Sequence, residues 1–339
     1  MPSQIAGMGR HACARMNDGT VECAGENSHG ELGDGTMRER FAFEQVEGLT
    51  TALEVAVGMN HVCARLASGG VRCWGANAHG QVGDGSREDR AAPVDVVGVA
   101  GAVAITAGAT STCVRLADGA VRCWGGNGEG QLGDGTTEDR PTAVGVGGGL
   151  AAADVVAGQA HVCARLADGR VRCWGNNGSG RLGDGTTERR LVPTDVLGLE
   201  GVAQLGLGGR HTCARLATGF VQCWGNNEYG QLGDGTAIDH VTPTTARVGE
   251  IAWLAAGDEN TCALVHGPRG EVFECWGRNR GLALAVNREA GAMNRLNPRI
   301  FLRVGAPLGV ALAPDFACAL RRDATIDCFE TTAVMPVAW

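Results

Sequence analysis

The sequence predicts an all-β chain: a seven-bladed β-propeller of four-stranded antiparallel blades, with one disulfide per blade. Three observations predict it. Seven cysteine pairs recur along the chain, with first members Cys13, Cys63, Cys113, Cys163, Cys213, Cys262 and Cys318 at steps of 50, 50, 50, 50, 49 and 56 residues. The second member follows ten residues later in six pairs (Cys23, Cys73, Cys123, Cys173, Cys223, Cys328) and thirteen later in the other, at Cys275. A period near 50 residues with one short hairpin in each unit is the mark of a ring of β-blades. Repeats also carry a tight-turn signal between their two cysteines, as at Asp118-Gly119 and Asp168-Gly169. Finally, no 3.6-residue apolar period persists for three turns, so helices are not expected.

Residues 55 to 97 show one repeat in order. Val55-Ala56-Val57-Gly58 reads as a short apolar strand ended by glycine, and Met59-Asn60 as a tight connection. His61-Val62-Cys63-Ala64-Arg65-Leu66 is a second strand, Ala67-Ser68-Gly69 a hairpin turn, and Val71-Arg72-Cys73-Trp74-Gly75 a third strand. A polar loop from Asn77 to Arg90 carries Gly83-Asp84-Gly85-Ser86. Pro93-Val94-Asp95-Val96 reads as the fourth strand, because a proline at its start suits an outer edge.

A turn centred on position 68 sets residues 63 and 73 opposite one another, within disulfide reach. The expected bridges are therefore Cys13–Cys23, Cys63–Cys73, Cys113–Cys123, Cys163–Cys173, Cys213–Cys223, Cys262–Cys275 and Cys318–Cys328. Zinc is the rival reading, but a ten-residue offset lacks the short knuckle of structural zinc sites. At the ends of the chain, Pro336-Val337-Ala338-Trp339 aligns with Pro93-Val94-Asp95-Val96, and Ile5-Ala6-Gly7 with Val55-Ala56-Val57. The N- and C-terminal strands are thus expected to complete one blade together and close the ring. Residues 1–339 read as a single domain, with no linker to interrupt the repeat.

The formal net charge is −8, with every basic residue an arginine and the signs interleaved, as in Arg87-Glu88-Asp89-Arg90. Nucleic-acid partners usually require a basic excess or stripe, so this class is set aside. No apolar run reaches the roughly 20 residues that span a bilayer, so membrane insertion is not expected. Fourteen pairable cysteines point to an oxidising location: secreted, periplasmic or cell-surface. The first residues run straight into the first repeat, which implies a leader removed or absent from this chain.

The repeat G-x-x-H-x-C-A-R-L-x-x-G-x-V-x-C-W-G-x-N-x-x-G-Q-L-G-D-G-T resembles the regulator of chromosome condensation family of propeller repeats. The resemblance covers essentially the whole chain and is strongest where Trp74, Trp124, Trp174 and Trp224 follow the second cysteine. It implies the propeller fold. For function it implies a range, since the family holds a nucleotide exchange factor, a plant ultraviolet-B photoreceptor and secreted bacterial inhibitors of β-lactamase. The compartment expected here is most similar to that of the secreted bacterial members.

Several recurring residues invite a chemical reading. Asp34, Asp84, Asp134, Asp184 and Asp234 stand in the Gly-Asp-Gly loop. Calcium needs several oxygen ligands at alternating positions, so an Asp turn fits better. His11, His61, His161 and His211 recur once per blade, unlike a catalytic histidine, and are expected to hydrogen-bond in the core. Trp74 and its equivalents read as packing between blades. Asn177-Gly178-Ser179 matches a glycosylation sequon and equally a turn. No nucleophile is paired with a base in a recognisable motif, so no enzyme activity, cofactor or metal is expected.

Strand parity places the Gly-x-x-His connection and the long Gly-Asp-Gly loop on one face of the ring. There the repetition gives way to variety. Arg10, Asn60, Thr110, Ala160, Arg210, Glu259 and Asp315 precede the His position, and His29, His79, Glu129, Ser179 and Tyr229 stand in the long loops. This composition suits a wet protein interface, with Tyr229, Arg10 and Arg210 as anchors by residue type. The expected function is a non-enzymatic binding module for an unknown extracellular protein or peptide. The alternatives are a structural or surface-assembly component, a secreted enzyme inhibitor and a propeller lectin.

Overall fold

The computed structural model describes residues 1–267, 270–278, 294–302, 309–312, 316–321, 323 and 325–330. The first repeat forms β1 (Pro2–Met8), β2 (His11–Met16), β3 (Val21–Gly25) and β4 (Arg40–Gln45), paired antiparallel in that order. The second forms β5 (Ala52–Val57), β6 (His61–Leu66), β7 (Val71–Gly75) and β8 (Arg90–Asp95) in the same arrangement. The two central strands of the second repeat match the sequence reading, while the fourth begins three residues before the expected Pro93. Four further four-stranded sheets start at Ala102, Ala152, Val202 and Ile251.

The expectation of seven four-stranded blades is corrected: among the described residues there are six. The last repeat gives a three-stranded sheet of Gly309–Leu312, Phe316–Leu320 and Ile326–Glu330 among the described residues. In the first five repeats the fourth strand begins seventeen residues after the second cysteine, as from Cys23 to Arg40. The shared closing blade is corrected too. β1 pairs with β2 from Pro2↔Met16 to Met8↔His11, so the N-terminal chain completes its own blade. Pro336-Val337-Ala338-Trp339 lies outside the described residues. β1 instead packs beside the strand Gly309–Leu312, where Ile5, Ala12, Ala14 and Met16 bury against Ala311, Cys318, Leu320 and Ile326.

The core lies between blades. Cys13, Val21, Cys23 and Leu32 of the first blade pack with Val55, Val62, Ala64 and Trp74 of the second, and the pattern repeats around the molecule. Trp74, Trp124, Trp174, Trp224 and Trp276 are all fully buried. Each donates its Nε1–H to a carbonyl of the preceding blade, at Glu31, Gln81, Gln131, Arg181 and Gln231, over 2.8–3.0 Å. That bond lets an indole be buried without stranding its one polar group. Gly83 has φ +78°, and a Cβ there would press on the Trp124 ring, so the glycine is needed for both turn and packing.

Register pairs Cys13↔Cys23, Cys63↔Cys73, Cys113↔Cys123, Cys163↔Cys173, Cys213↔Cys223 and Cys262↔Cys275, and all six are disulfides with Cα atoms 4.0–4.1 Å apart. The sixth hairpin is longer, yet still closes symmetrically from Cys262↔Cys275 to Gly267↔Gly270. Cys318 is also disulfide-bonded and stands opposite Cys328 in register.

Candidate functional site

One face of the molecule gathers the connections predicted to lie together. The residue after each third strand donates its backbone N–H to the carbonyl of the residue before the His position. These bonds run from Glu26 to Arg10, Ala76 to Asn60, Gly126 to Thr110, Asn176 to Ala160, Asn226 to Arg210 and Arg278 to Glu259. The inner connections are therefore tied to the start of each long loop. On the opposite side the hairpins meet the inter-blade links, as where Ala52 donates to Gly19 and Ala102 to Gly69.

Each long loop is built around an asparagine that the sequence reading passed over. Asn77 is fully buried; its Oδ1 accepts the Val82 N–H at 2.9 Å, and its Nδ2 donates to Asp84 and Ser86. Its recurrence as Asn27, Asn127, Asn177 and Asn227 was the available signal. Asn177 is part of the sequon, but its Nδ2 is buried and donates to Asp184, Thr186 and Glu188. In the folded protein it is a loop hub. Asp84 accepts both the N–H and the hydroxyl of Ser86 at 2.9 and 2.7 Å, and its other oxygen takes Arg90. Burial opposes ionisation of Asp84, but bonds from Ser86 and Arg90 outweigh it and hold the carboxyl below its ordinary range. The carboxylates expected to form turns do so, with their oxygens already engaged.

The buried histidines form a relay between blades. His61, His161 and His211 approach the hydroxyls of Thr112, Thr212 and Thr261 in the next blade at 2.8–2.9 Å. Each of these hydroxyls donates onward to a backbone carbonyl, at Gln81, Arg181 and Gln231. The hydroxyl has one proton, so the histidine must donate from Nε2 and carry its lone pair on Nδ1. Burial lowers the pKa of His61 and His211 to about 3, and that of His11 to about 4. All of these rings are neutral, and those of His61, His161 and His211 are structural donors.

The residues singled out for binding fall into distinct environments. Arg10, Asn60 and Arg210 are exposed at the mouth of the ring, and Thr110 is half-buried beside them. Asp315 lies outside the described residues. Glu259 is half-buried and its two carboxylate oxygens accept from Arg278 Nη1, at 2.7 and 2.9 Å; Arg278 in turn lies 4.4 Å above the Tyr229 ring. Tyr229, Arg278 and Glu259 thus make one cluster joining an inner connection to two outer loops. His29 and His79 bridge to the following blade, each with Nδ1 2.8 Å from a carboxylate, Asp89 and Asp139. The hydrogen bond to Asp89 raises the His29 pKa. Glu129 is half-buried and its N–H is pinned by Gln131. Closer to the axis, Gln159 donates to the Asp258 carboxylate at 2.7 Å, passing over Gly209 between two more distant blades.

The fold and this loop face define a β-propeller of repeated units that presents a non-repeating rim. The chain belongs to the RCC1-like domain family, whose model matches residues 2–311. No curated protein matches it by sequence. Among solved structures it is similar to human WBSCR16, at 22% identity and a TM-score of 0.81, covering 95% of this chain and 87% of that one. Prp20p from Saccharomyces cerevisiae is similar at 20% identity and 0.79, covering 93% and 81%. The ectodomain of the Physcomitrella patens receptor kinase CR4 follows at 19% identity and 0.59, covering 96% and 72%. At these identities the likeness is one of fold.

Proposed function

We propose that this RCC1-like propeller is an extracellular or periplasmic, non-enzymatic module that binds a protein or peptide partner through its loop face. One observation carries the reading. Identical hydrogen bonds recur blade after blade beneath this face, while the side chains they hold up vary, as Arg10, Asn60, Thr110, Ala160, Arg210 and Glu259. Loops on a rigid scaffold are where binding residues usually sit. The disulfides support an oxidising location, and among the described residues no helix is long and apolar enough to cross a membrane. Protein partners are the precedent among similar folds, since the Prp20p structure is reported with its binding to Gsp1p and histones.

The test is capture of a partner from the native secretome or envelope, followed by two sets of substitutions. Tyr229→Ala with Arg210→Ala should weaken binding by at least about tenfold while leaving the melting temperature nearly unchanged. Asp168→Ala, on the hairpin face, should leave affinity alone. The reverse pattern would assign the binding surface to the other side. A surface-assembly role is the second reading, favoured by Phe41, which is 79% exposed on the outermost strand of its blade. Concentration-dependent polymers on a sizing column would select it over the binding module.

A further inference from the structure

One blade departs from its sisters in a way that leaves a buried cation without an ion-pair partner among the described residues. In three long loops a glutamine two residues past the loop tip accepts a backbone N–H: Gln81 from His79, Gln131 from Glu129 and Gln231 from Tyr229, each at 2.9 Å. The fourth blade has Arg181 at this position, which cannot accept that bond. The residue is only 7% exposed. It reaches inward instead, and Nη1 donates to the Gly209 carbonyl at 2.9 Å in the neighbouring inner connection. The Nε–H is buried with no hydrogen-bond acceptor.

Isolated buried charge is costly, and arginines at such depth are normally paired with a carboxylate. Among the described residues Arg181 has no such pair. Glu129 is the acid that favours its charge, and it acts from beyond ion-pair distance. The exposed Arg210 lies close enough to oppose it. Burial and then Arg210 lower the pKa of Arg181 to about 10, which leaves it charged at neutral pH. Gly209 makes the arrangement possible, since a Cβ there would strike the Asp258 carboxylate that Gln159 holds across it. Arg181 thus reaches the backbone step that leads into the exposed Arg210 at the mouth of the ring, a step over which the Asp258 carboxylate is already held by Gln159.

We propose that Arg181 and Arg210 form a carboxylate-binding subsite that receives an acidic side chain of a protein partner. A carboxylate suits it because its two oxygens can accept from both guanidiniums and so supply the charge that Arg181 lacks. The net charge of −8 makes such a concentrated positive point stand out from the rest of the molecule. The subsite rests on the loop-face reading for its biological partner, but its chemistry is testable without one.

The experiment uses the full chain with an acetylated, amidated tetra-glutamate peptide as probe and the tetra-glutamine peptide as control, at low salt. Arg181→Gln installs the residue that the sister blades carry, so the variant keeps a known loop geometry. The wild type should bind the glutamate peptide at least about tenfold more tightly than Arg181→Gln or Arg210→Ala do, and the difference should shrink as salt screens the pair. Equal affinity in wild type and Arg181→Gln, or equal binding of the two peptides, would overturn the subsite. If the subsite holds while Arg181→Gln leaves the affinity for a captured partner unchanged, the error lies in the loop-face reading instead.

Discussion

The His–Thr relay sets the terms at the scale of single residues. It is complete only where the next blade offers a hydroxyl. His11 faces Val62 at the position that holds Thr112, Thr212 and Thr261 elsewhere, and its Nε2 is buried with no acceptor. Val62→Thr is nearly isosteric; its hydroxyl could accept from His11 and donate to the Glu31 carbonyl, as its counterparts do. We expect it to stabilise the protein by about 1 kcal/mol in chemical denaturation, the usual net worth of a hydrogen bond. A loss of stability would show that the first blade has a different geometry at this step. Glu31 stands where Gln81, Gln131 and Gln231 do, and burial raises its pKa above the ordinary value of 4.5. A raised carboxyl contributes stability below the unfolded pKa and loses it as pH rises through the folded one. Glu31→Gln should therefore be stabilising near pH 7 and neutral near pH 4, as read from paired melting curves.

At the scale of elements, the hairpin joining the second and third strands is the unit that repeats most faithfully. Its register places the cysteines opposite one another whatever the turn, which is why a thirteen-residue spacing closes as well as a ten-residue one. Non-reducing peptide mapping should recover only bridges within hairpins, and any abundant bridge between repeats would contradict the register. Each bridge closes a short loop, so replacing the pair Cys113 and Cys123 by alanine should cost about 2–3 kcal/mol. The long loop is the second unit. Its asparagine hub and aspartate turn find their hydrogen-bond partners, backbone and side chain, within fifteen residues.

At the scale of the whole molecule, the buried histidines make the fold acid-sensitive. His11, His61, His161 and His211 are fully buried, and burial depresses their pKa values below the ordinary 6.5. The unfolded chain therefore binds more protons than the native one between about pH 6.5 and the folded values. Stability is present in full above that range and falls as pH is lowered through it, by about 1.4 kcal/mol per pH unit for each histidine. Replacing His161 with Ser, the residue at the equivalent Ser111, should flatten the acid limb of a stability–pH curve by about one proton. An unchanged slope would mean that His161 is not buried neutral. The join between the first blade and the last sheet rests on the apolar contact of Ile5, Ala14 and Met16 with Ala311 and Leu320. The molecule is therefore stapled within hairpins by sulfur but held between blades by packing and by the indole and imidazole bonds.

The sequence by itself determined the all-β repeat, the hairpins, the disulfide partners and the face on which the loops gather. These are local or periodic properties: a turn fixes which residues oppose one another a few positions away, and strand parity fixes the rest. It also led to the right reading of Asp84 and its sisters as turn residues, because Asx turns are completed by near neighbours. The number of four-stranded blades among the described residues and the partner that β1 takes were decided by tertiary structure. Residues 2–16 carry enough pairing capacity to satisfy β1 within their own blade, and no local pattern reveals which edge a terminal strand will choose. The same holds for the candidate site. That Arg181 would turn under Gly209, that Glu259 would be held by Arg278 beneath Tyr229, and that His61 would find Thr112 all depend on residues 19 to 51 positions apart. Only the stacking of one blade on the next brings most of those groups within hydrogen-bond reach.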